Sequence, residues 1–256
     1  CTKNQTEQVV KDVLDLIAYV NKALGLEKGR DYHYRLSLGD RKDDKKYYKD
    51  DKAWDEAEKT LRTVLQESSQ PFVEAQNEAA FYGPKIDIQV KNVLGKEETM
   101  ITVQYDFVMP KRFELEYTDE QGKKQQPVVI HRSSIGAFER TMAFLIEKYG
   151  GAFPTWLAPV QAIIIPISEK HIKYATNVLE QLKSSNLRVE LDERGETMQA
   201  KIRDAQMQKV PYMLIVGDKE EKENMVAVRT REGKDLGTMQ IKEFLDKINS
   251  EVESKT

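Results

Sequence analysis

Lys85–Phe107 reads KIDIQVKNVLGKEETMITVQYDF, and its alternation decides the fold. Ile86, Ile88 and Val90 alternate with Lys85, Asp87 and Gln89. After a connection containing Gly95, Ile101, Val103, Tyr105 and Phe107 alternate with Thr102, Gln104 and Asp106. Successive side chains on a strand point to opposite faces, so each segment predicts a strand with one dry face and one polar face. The connection NVLGKEE is short enough for a hairpin, which sets the two polar faces side by side as the polar floor of an antiparallel sheet.

On the C-terminal side, Val128–Ile130 predicts a third strand running into His131 and Arg132, with a helix from about Ile135 to Tyr149 behind it. On the N-terminal side, Val9, Val10, Val13, Leu14, Ile17, Val20 and Leu24 have the spacing of a buried helical stripe, and Thr2 and Gln5 that of a capping box. Tyr32, Tyr34, Leu36 and Leu38 alternate with His33, Arg35 and Ser37 as a half-buried strand does. The charged run DRKDDKKYYKDDK from Asp40 predicts a solvated loop, and a helix with Trp54, Leu61, Val64 and Leu65 inward follows it.

The stretch GGAFPTWLAP, with Gly150, Gly151, Pro154 and Pro159, punctuates the chain and divides it into 1–153 and 154–256. Beyond it AIIIPI, YMLIVG and MVAVRT predict buried strands and Leu187–Leu191 a shorter one. Helices over 170–185, 197–209 and 239–253 complete a βαβαββα order. The fold class is therefore α/β, an antiparallel core followed by a compact α/β domain.

With 256 residues and a usual domain of about 150, two domains are expected. Hydrophobic residues at 39% and charged residues at 32% fit neither a disordered polymer nor a membrane protein. No run approaches the ~18 consecutive apolar residues of a spanning helix, and the start CTKNQTEQ lacks a signal region, so a cytosolic setting is expected. The first residue is not Met, from which a cut or partial chain is expected. One cysteine, Cys1, excludes an internal disulfide and a cysteine-rich zinc module. The net charge of −3, from 40 basic and 43 acidic residues, gives no global reason to expect a polyanion. Nor does either half: 16 basic and 17 acidic residues follow Pro159 and 24 and 26 precede it.

Three groups of residues invite chemistry. Gly136, Ala137, Arg140 and Ala143 have i, i+3, i+4, i+7 spacing, which predicts a helix face with one cation flanked by small side chains. A guanidinium there suits a polyphosphate; a salt bridge to a nearby carboxylate is the alternative, and the small residues equally suit helix packing. His131, at the end of an apolar strand, either binds a metal or satisfies a backbone group. His33, His131 and His171 with one Cys are too few, at these spacings, for a closed zinc site. In AAFYGPKIDI, Tyr82, Gly83 and Pro84 form a turn before a strand, so that Tyr82 and Lys85 stand at the sheet edge.

EAAFYGPKIDIQV, TVQYDF, PVVIHRSSIGAFER, AFPTWLAPVQ, KVPYMLIVGDKE and VAVRTREGKDLG, in this order and spacing, resemble the C-terminal part of a threonyl-tRNA synthetase, a class II aminoacyl-tRNA synthetase. The resemblance runs over essentially the whole chain. It implies a partial class II catalytic core on an antiparallel sheet, followed by a mixed-sheet anticodon-binding domain. It also implies that the parent is a threonine–tRNA ligase, cytoplasmic, homodimeric and free of membranes, using ATP with Mg²⁺ and acting on threonine and tRNA-Thr. By the same resemblance His131 is the last of three Zn²⁺ ligands, the other two lying upstream of this chain. Arg140 is the catalytic motif 3 arginine on ATP phosphate. Tyr82, Lys85 and Gln104 line the threonine and adenylate pocket, and Arg203, Lys219, Glu220 and Arg229 read the anticodon.

The resemblance also has gaps. Motifs 1 and 2, the editing region and two metal ligands are missing, so this chain alone is expected not to catalyse. TMIT at Thr99–Thr102 stands where many members have Gln-Cys-Gly-Thr, Ala137 replaces a common Ser, and Gly195 stands where some members have an Asn contact. A non-catalytic tRNA-binding or regulatory paralogue is the alternative those departures support.

Overall fold

The computed structural model describes residues 1–68 and 71–255. The chain divides into two compact units, Cys1–Phe144 and Leu145–Thr256.

The first unit opens with a 3-10 turn, Lys3–Gln5, and helix α1, Thr6–Ala23. The Thr2 backbone N–H donates to Gln5 Oε1 at 3.0 Å, one half of the expected capping box. Strand β1 (Tyr32–Ser37), helix α2 (Asp51–Glu67), and strands β2 (Phe72–Ala75), β3 (Lys85–Lys91) and β4 (Glu97–Asp106) follow. A short helix α3 (Met109–Arg112), a small hairpin of β5 (Tyr117–Thr118) and β6 (Lys124–Gln125), strand β7 (Val129–Arg132) and the start of helix α4 (Phe138–Tyr149), which continues past Phe144 into the second unit, close the series. The sheet order is β2-β1-β3-β4-β7, antiparallel except for the parallel β1–β2 pair.

The expected hairpin is present as β3–β4, and its alternation explains the core. Leu36, Ile86, Ile88, Ile101 and Val103 are buried on one face, with Ile17, Leu61 and Leu65 among the helix residues of the same core. One irregularity matters: Ile88 pairs with Ile101 but Gln89 with Thr99, which leaves Met100 as an extra residue. Such a bulge lets Met100 and Ile101 both turn inward while Thr99 and Thr102 both keep to the polar face.

Several expectations need correction. The third strand, expected as Val128–Ile130 running into His131 and Arg132, is β7 over Val129–Arg132 and so takes in both residues. Strand β2 gives no signal because of its four residues, FVEA, at a sheet edge, two are exposed and none is fully buried. The charged run is not uniformly solvated: Tyr47 is buried edge-on against Trp54, and Arg41 covers the Trp54 ring at 5.1 Å while pairing with Glu58. Helix α4 begins at Phe138, so the expected face of Gly136, Ala137, Arg140 and Ala143 does not form. Gly136 has φ of 75°, off the helix, and Ala137 supplies the carbonyl that accepts from Thr141 N–H.

In the second unit β8 (Ala162–Pro166), α5 (Ile172–Ser184), β9 (Val189–Leu191), α6 (Met198–Met207), β10 (Tyr212–Val216), α7 (Asp218–Glu223), β11 (Met225–Thr230), β12 (Asp235–Gln240) and α8 (Ile241–Ser254) follow in order. The sheet runs β12-β11-β10-β8-β9; β9, β8 and β10 are parallel, and β11 and β12 antiparallel. Parallel strands covered on both faces read as unbroken apolar runs, which is why AIII and YMLIV were legible. Ile164, Leu214 and Val228 pack with Val178 and Leu182 of α5 and Phe244 and Ile248 of α8, whereas Ile163, Ile165 and Met213 pack with Ile202 and Ala205 of α6. β12 and α7 were not expected; DLGTMQ holds a glycine and DKEEKE no apolar residue, so neither shows periodicity.

Candidate functional site

Four strands carry a polar floor in the first unit. Ser37, Lys85, Gln104 and His131 lie in one cross-strand row, and Arg35, Asp87 and Thr102 in the next. Asp87 is fully buried and is the hub. Its Oδ2 accepts from Lys85 Nζ, from Ser37 Oγ at 2.7 Å and from Arg35 Nη2 at 2.9 Å; its Oδ1 accepts from Thr102 Oγ1 at 3.0 Å. Burial alone would raise the Asp87 carboxyl, but the hydrogen bonds from Lys85, Arg35 and Ser37 outweigh it and hold the group below the usual carboxylate range.

The sequence-predicted Tyr82, Lys85, Gln104 and His131 come together at one end of this floor. Tyr82 Oη donates to Gln104 Oε1, and the Tyr82 and His131 rings lie 5.5 Å apart. Burial, with the Asp106 carboxylate adding to it, raises the Tyr82 phenol, so Tyr82 stays a neutral donor. Gly83 lets the turn sit this close, since a Cβ there would lie 1.8 Å from the Tyr105 carbonyl oxygen. His131 Nε2 lies 2.8 Å from Oδ2 of the buried Asp106. Its partner is thus a side-chain carboxylate, and of the two sequence alternatives, a metal or a backbone group, the second does not hold at Nε2.

Arg140 is placed elsewhere. Its guanidinium donates to the Thr99 carbonyl, and the Thr99 hydroxyl accepts from Gln89 Nε2 at 2.6 Å. Thr99 and Gln104 are five residues apart on β4, about 16 Å at ~3.3 Å per residue, so the Arg140 and His131 ends bracket the floor's length. Sequence reasoning put Asp87 and Asp106 on the polar face without giving them a role; alternation shows a position is polar, not that several donors converge on it.

Among the described residues no group of three or more His, Cys, Asp or Glu is arranged to hold a metal ion. His131, with Nε2 facing a carboxylate, fits one ligand of a shared shell and no more.

In the second unit a cleft of about 220 Å³ opens where β8 and β9 end, lined by Ser168, Glu193, Arg194, Gly195, Glu196 and Lys201 among others. Lys201 is buried, its ammonium donating to the carbonyls of Asp192 at 3.0 Å and Pro166 at 3.4 Å. Arg194 beside Asp192 holds that carboxyl below the usual range. Arg203 is exposed on α6, and Arg229 pairs with Met213, which packs on α6; both therefore belong to the same side of the sheet. Lys219 is exposed on α7, whereas the Glu220 carboxylate accepts the Gly217 N–H at 3.1 Å and so caps that helix.

Known proteins match both units, in this order along the chain. The model of the tRNA synthetase class II core domain (G, H, P, S and T) matches residues 1–149, and that of the anticodon binding domain residues 161–251. The chain belongs to the class II tRNA synthetase family. It is 46% identical to the threonine–tRNA ligase of Clostridium botulinum over 254 residues, 99% of this chain and 39% of that protein. With the threonine–tRNA ligase of Geobacillus kaustophilus it shares 50% over 253 residues, 98% and 38% respectively. The crystal structure of the RNA binding domain of threonyl-tRNA synthetase from Cryptosporidium parvum superimposes with a TM-score of 0.88 at 32% identity, covering 98% of this chain and 61% of that one. The resemblance read from the motifs, and the class II fold it implied, are borne out. This class II chain spans about 39% of the length of the curated relatives it matches. No helix among its described residues is long and apolar enough to cross a membrane.

Proposed function

We propose that the whole protein is a threonine–tRNA ligase, with residues 1–153 contributing part of the catalytic core and residues 154–256 binding the anticodon. The observation that carries this reading is 46–50% identity over nearly the whole chain to proteins named threonine–tRNA ligase; Tyr82, Lys85, Gln104 and His131 lying together at one end of the polar floor support it. Threonine carboxylate attacks the α-phosphorus of ATP, Mg²⁺ accompanying the phosphates, and pyrophosphate leaves; a tRNA-Thr 3′-terminal hydroxyl then attacks the adenylate carbonyl and AMP leaves.

In this reading Tyr82, Lys85 and Gln104 line the threonine and adenylate pocket. Lys85, oriented by Asp87, supplies positive charge next to the carboxylate. Arg140 has five N–H donors and spends one on Thr99, which leaves the others for ATP phosphate oxygens. His131 would be one zinc ligand. Bound zinc supplies a template for the threonine amino and hydroxyl groups that valine, with a methyl in place of the hydroxyl, does not satisfy. Arg203, Lys219, Glu220 and Arg229 read a single-stranded anticodon, where splayed bases are recognised by a few side chains, so a near-neutral domain suffices. The protein is cytoplasmic and homodimeric in this reading.

The test supplies the full-length gene product with threonine, ATP and labelled pyrophosphate. Threonine-dependent exchange is expected, with valine rejected. Its absence, together with retained binding of the tRNA-Thr anticodon stem-loop, favours the non-catalytic tRNA-binding or regulatory paralogue that Thr99 and Ala137 keep in view.

A further inference from the structure

Asp106 closes β4 and opens the turn into α3, and it is fully buried. Its Oδ1 accepts two backbone N–H groups, Val108 at 2.9 Å and Met109 at 2.8 Å; its Oδ2 lies 2.8 Å from His131 Nε2. Backbone amides only donate, so Oδ1 is pinned and the carboxylate plane is fixed with it. An ionised carboxylate only accepts, so the imidazole atom that faces it carries a proton. We propose that Asp106 is the positioning residue for His131, holding the neutral imidazole as the Nε2–H tautomer and thereby presenting the Nδ1 lone pair as the atom that binds a metal.

The Nδ1 consequence rests on the reading of His131 as a zinc ligand; the tautomer itself does not. A ligating histidine commonly passes its other ring N–H to a carboxylate, which fixes its orientation and raises its basicity. Here the arrangement is already built by residues of this chain. The imidazole is further held by the Tyr82 ring, and its strand neighbour Gln104 is tied to the Tyr82 hydroxyl, so the ring is constrained from more than one side.

The experiment reads the tautomer directly. Long-range ¹H–¹⁵N spectra of the ¹⁵N-labelled 256-residue chain are recorded at pH 8, and because His33, His131 and His171 are the histidines, His131→Gln assigns the signal. The expected result is a proton on Nε2. In Asp106→Asn the side-chain carbonyl keeps the two backbone donors and the amide turns its N–H toward the imidazole. The ring proton is then expected on Nδ1, a switch that a merely structural role for Asp106 does not produce. An Nδ1–H tautomer in the parent chain, or an unchanged tautomer in a folded Asp106→Asn chain, overturns the proposal; if that variant fails to fold, the parent spectrum still decides.

A second arm measures zinc affinity of the full-length gene product by competition with a chromophoric chelator. Asp106→Asn is expected to weaken it about 10–100-fold. Equal affinity despite a switched tautomer overturns Nδ1 as the ligand atom. A parent protein that takes up no zinc, while the tautomers behave as expected, overturns the zinc reading and leaves the hold of Asp106 on His131 standing.

Discussion

A Cβ built on Gly136 would lie 2.0 Å from the carbonyl oxygen of Met100. The segment that leads from β7 to α4 therefore rests on the backbone of the bulge in β4, with Gly136 in the left-handed region at φ 75°. Gly136→Ala meets two penalties, about 1–2 kcal/mol for the backbone conformation and about 1–3 kcal/mol for displacing a packed carbonyl. A loss of about 2–5 kcal/mol is expected in urea unfolding followed by the fluorescence of buried Trp54. An unchanged midpoint would show that the close approach is not held in solution.

Asp87 ties acid stability to the floor. Its folded pKa lies below the unfolded carboxyl's, roughly 3.9, so its contribution is complete above that value and is lost as pH falls through the folded one. Asp87→Asn is expected to cost about 3 kcal/mol at pH 7, because Lys85 then lacks its counter-charge and Arg35 keeps only the exposed Glu78. The variant's stability is also expected to fall less steeply as pH drops below about 5, by up to about 1.4 kcal/mol per pH unit, one proton's worth. Parallel pH–stability curves for parent and variant would refute the linkage.

How much of this was legible follows the physics of each element. β3 and β4 were plain because alternation is a local signal, and β8 and β10 because strands buried on both faces leave apolar runs. Edge strand β2 and glycine-containing β12 bury little and carry no period. The role of Gly136 was misread because i, i+3, i+4 spacing does not say where a helix starts; the positive φ and the Met100 carbonyl decide that, and both depend on a strand some 35 residues away. Arg140 and His131 stand out in the sequence by residue type and position, but their partners Thr99 and Asp106 are set by pairing across the sheet, which a single sequence does not display.

Arg140 is exposed and bonds one backbone carbonyl, so its replacement is expected to leave stability within about 0.5 kcal/mol. If it grips ATP phosphate, pyrophosphate exchange by the full-length gene product should fall about 100- to 1000-fold in Arg140→Ala, the scale for losing one preorganised donor to developing charge. Arg140→Lys keeps the charge without the bidentate fork and is expected between the two. Exchange rates equal to the parent's in both variants would remove Arg140 from the reaction.

Arg229 offers the sharpest test of the second domain. It stands on β11 next to the register shift at Val228, paired with Met213 on one side and Asp235 on the other, and is only partly buried. Strand pairing on both sides fixes the Arg229 backbone, so its planar fork extends from a set position, which suits a base edge better than a phosphate. Arg229→Ala is expected to weaken the cognate anticodon stem-loop by ~1–3 kcal/mol while leaving a stem-loop with a changed anticodon nearly unaffected. Lys222→Ala, on exposed α7, is the control: as a phosphate contact at most, it should weaken both stem-loops alike and reduce the salt dependence. If Arg229→Ala lowers both stem-loops equally, Arg229 contributes charge and not sequence reading; if neither changes, the recognition surface lies elsewhere in the domain.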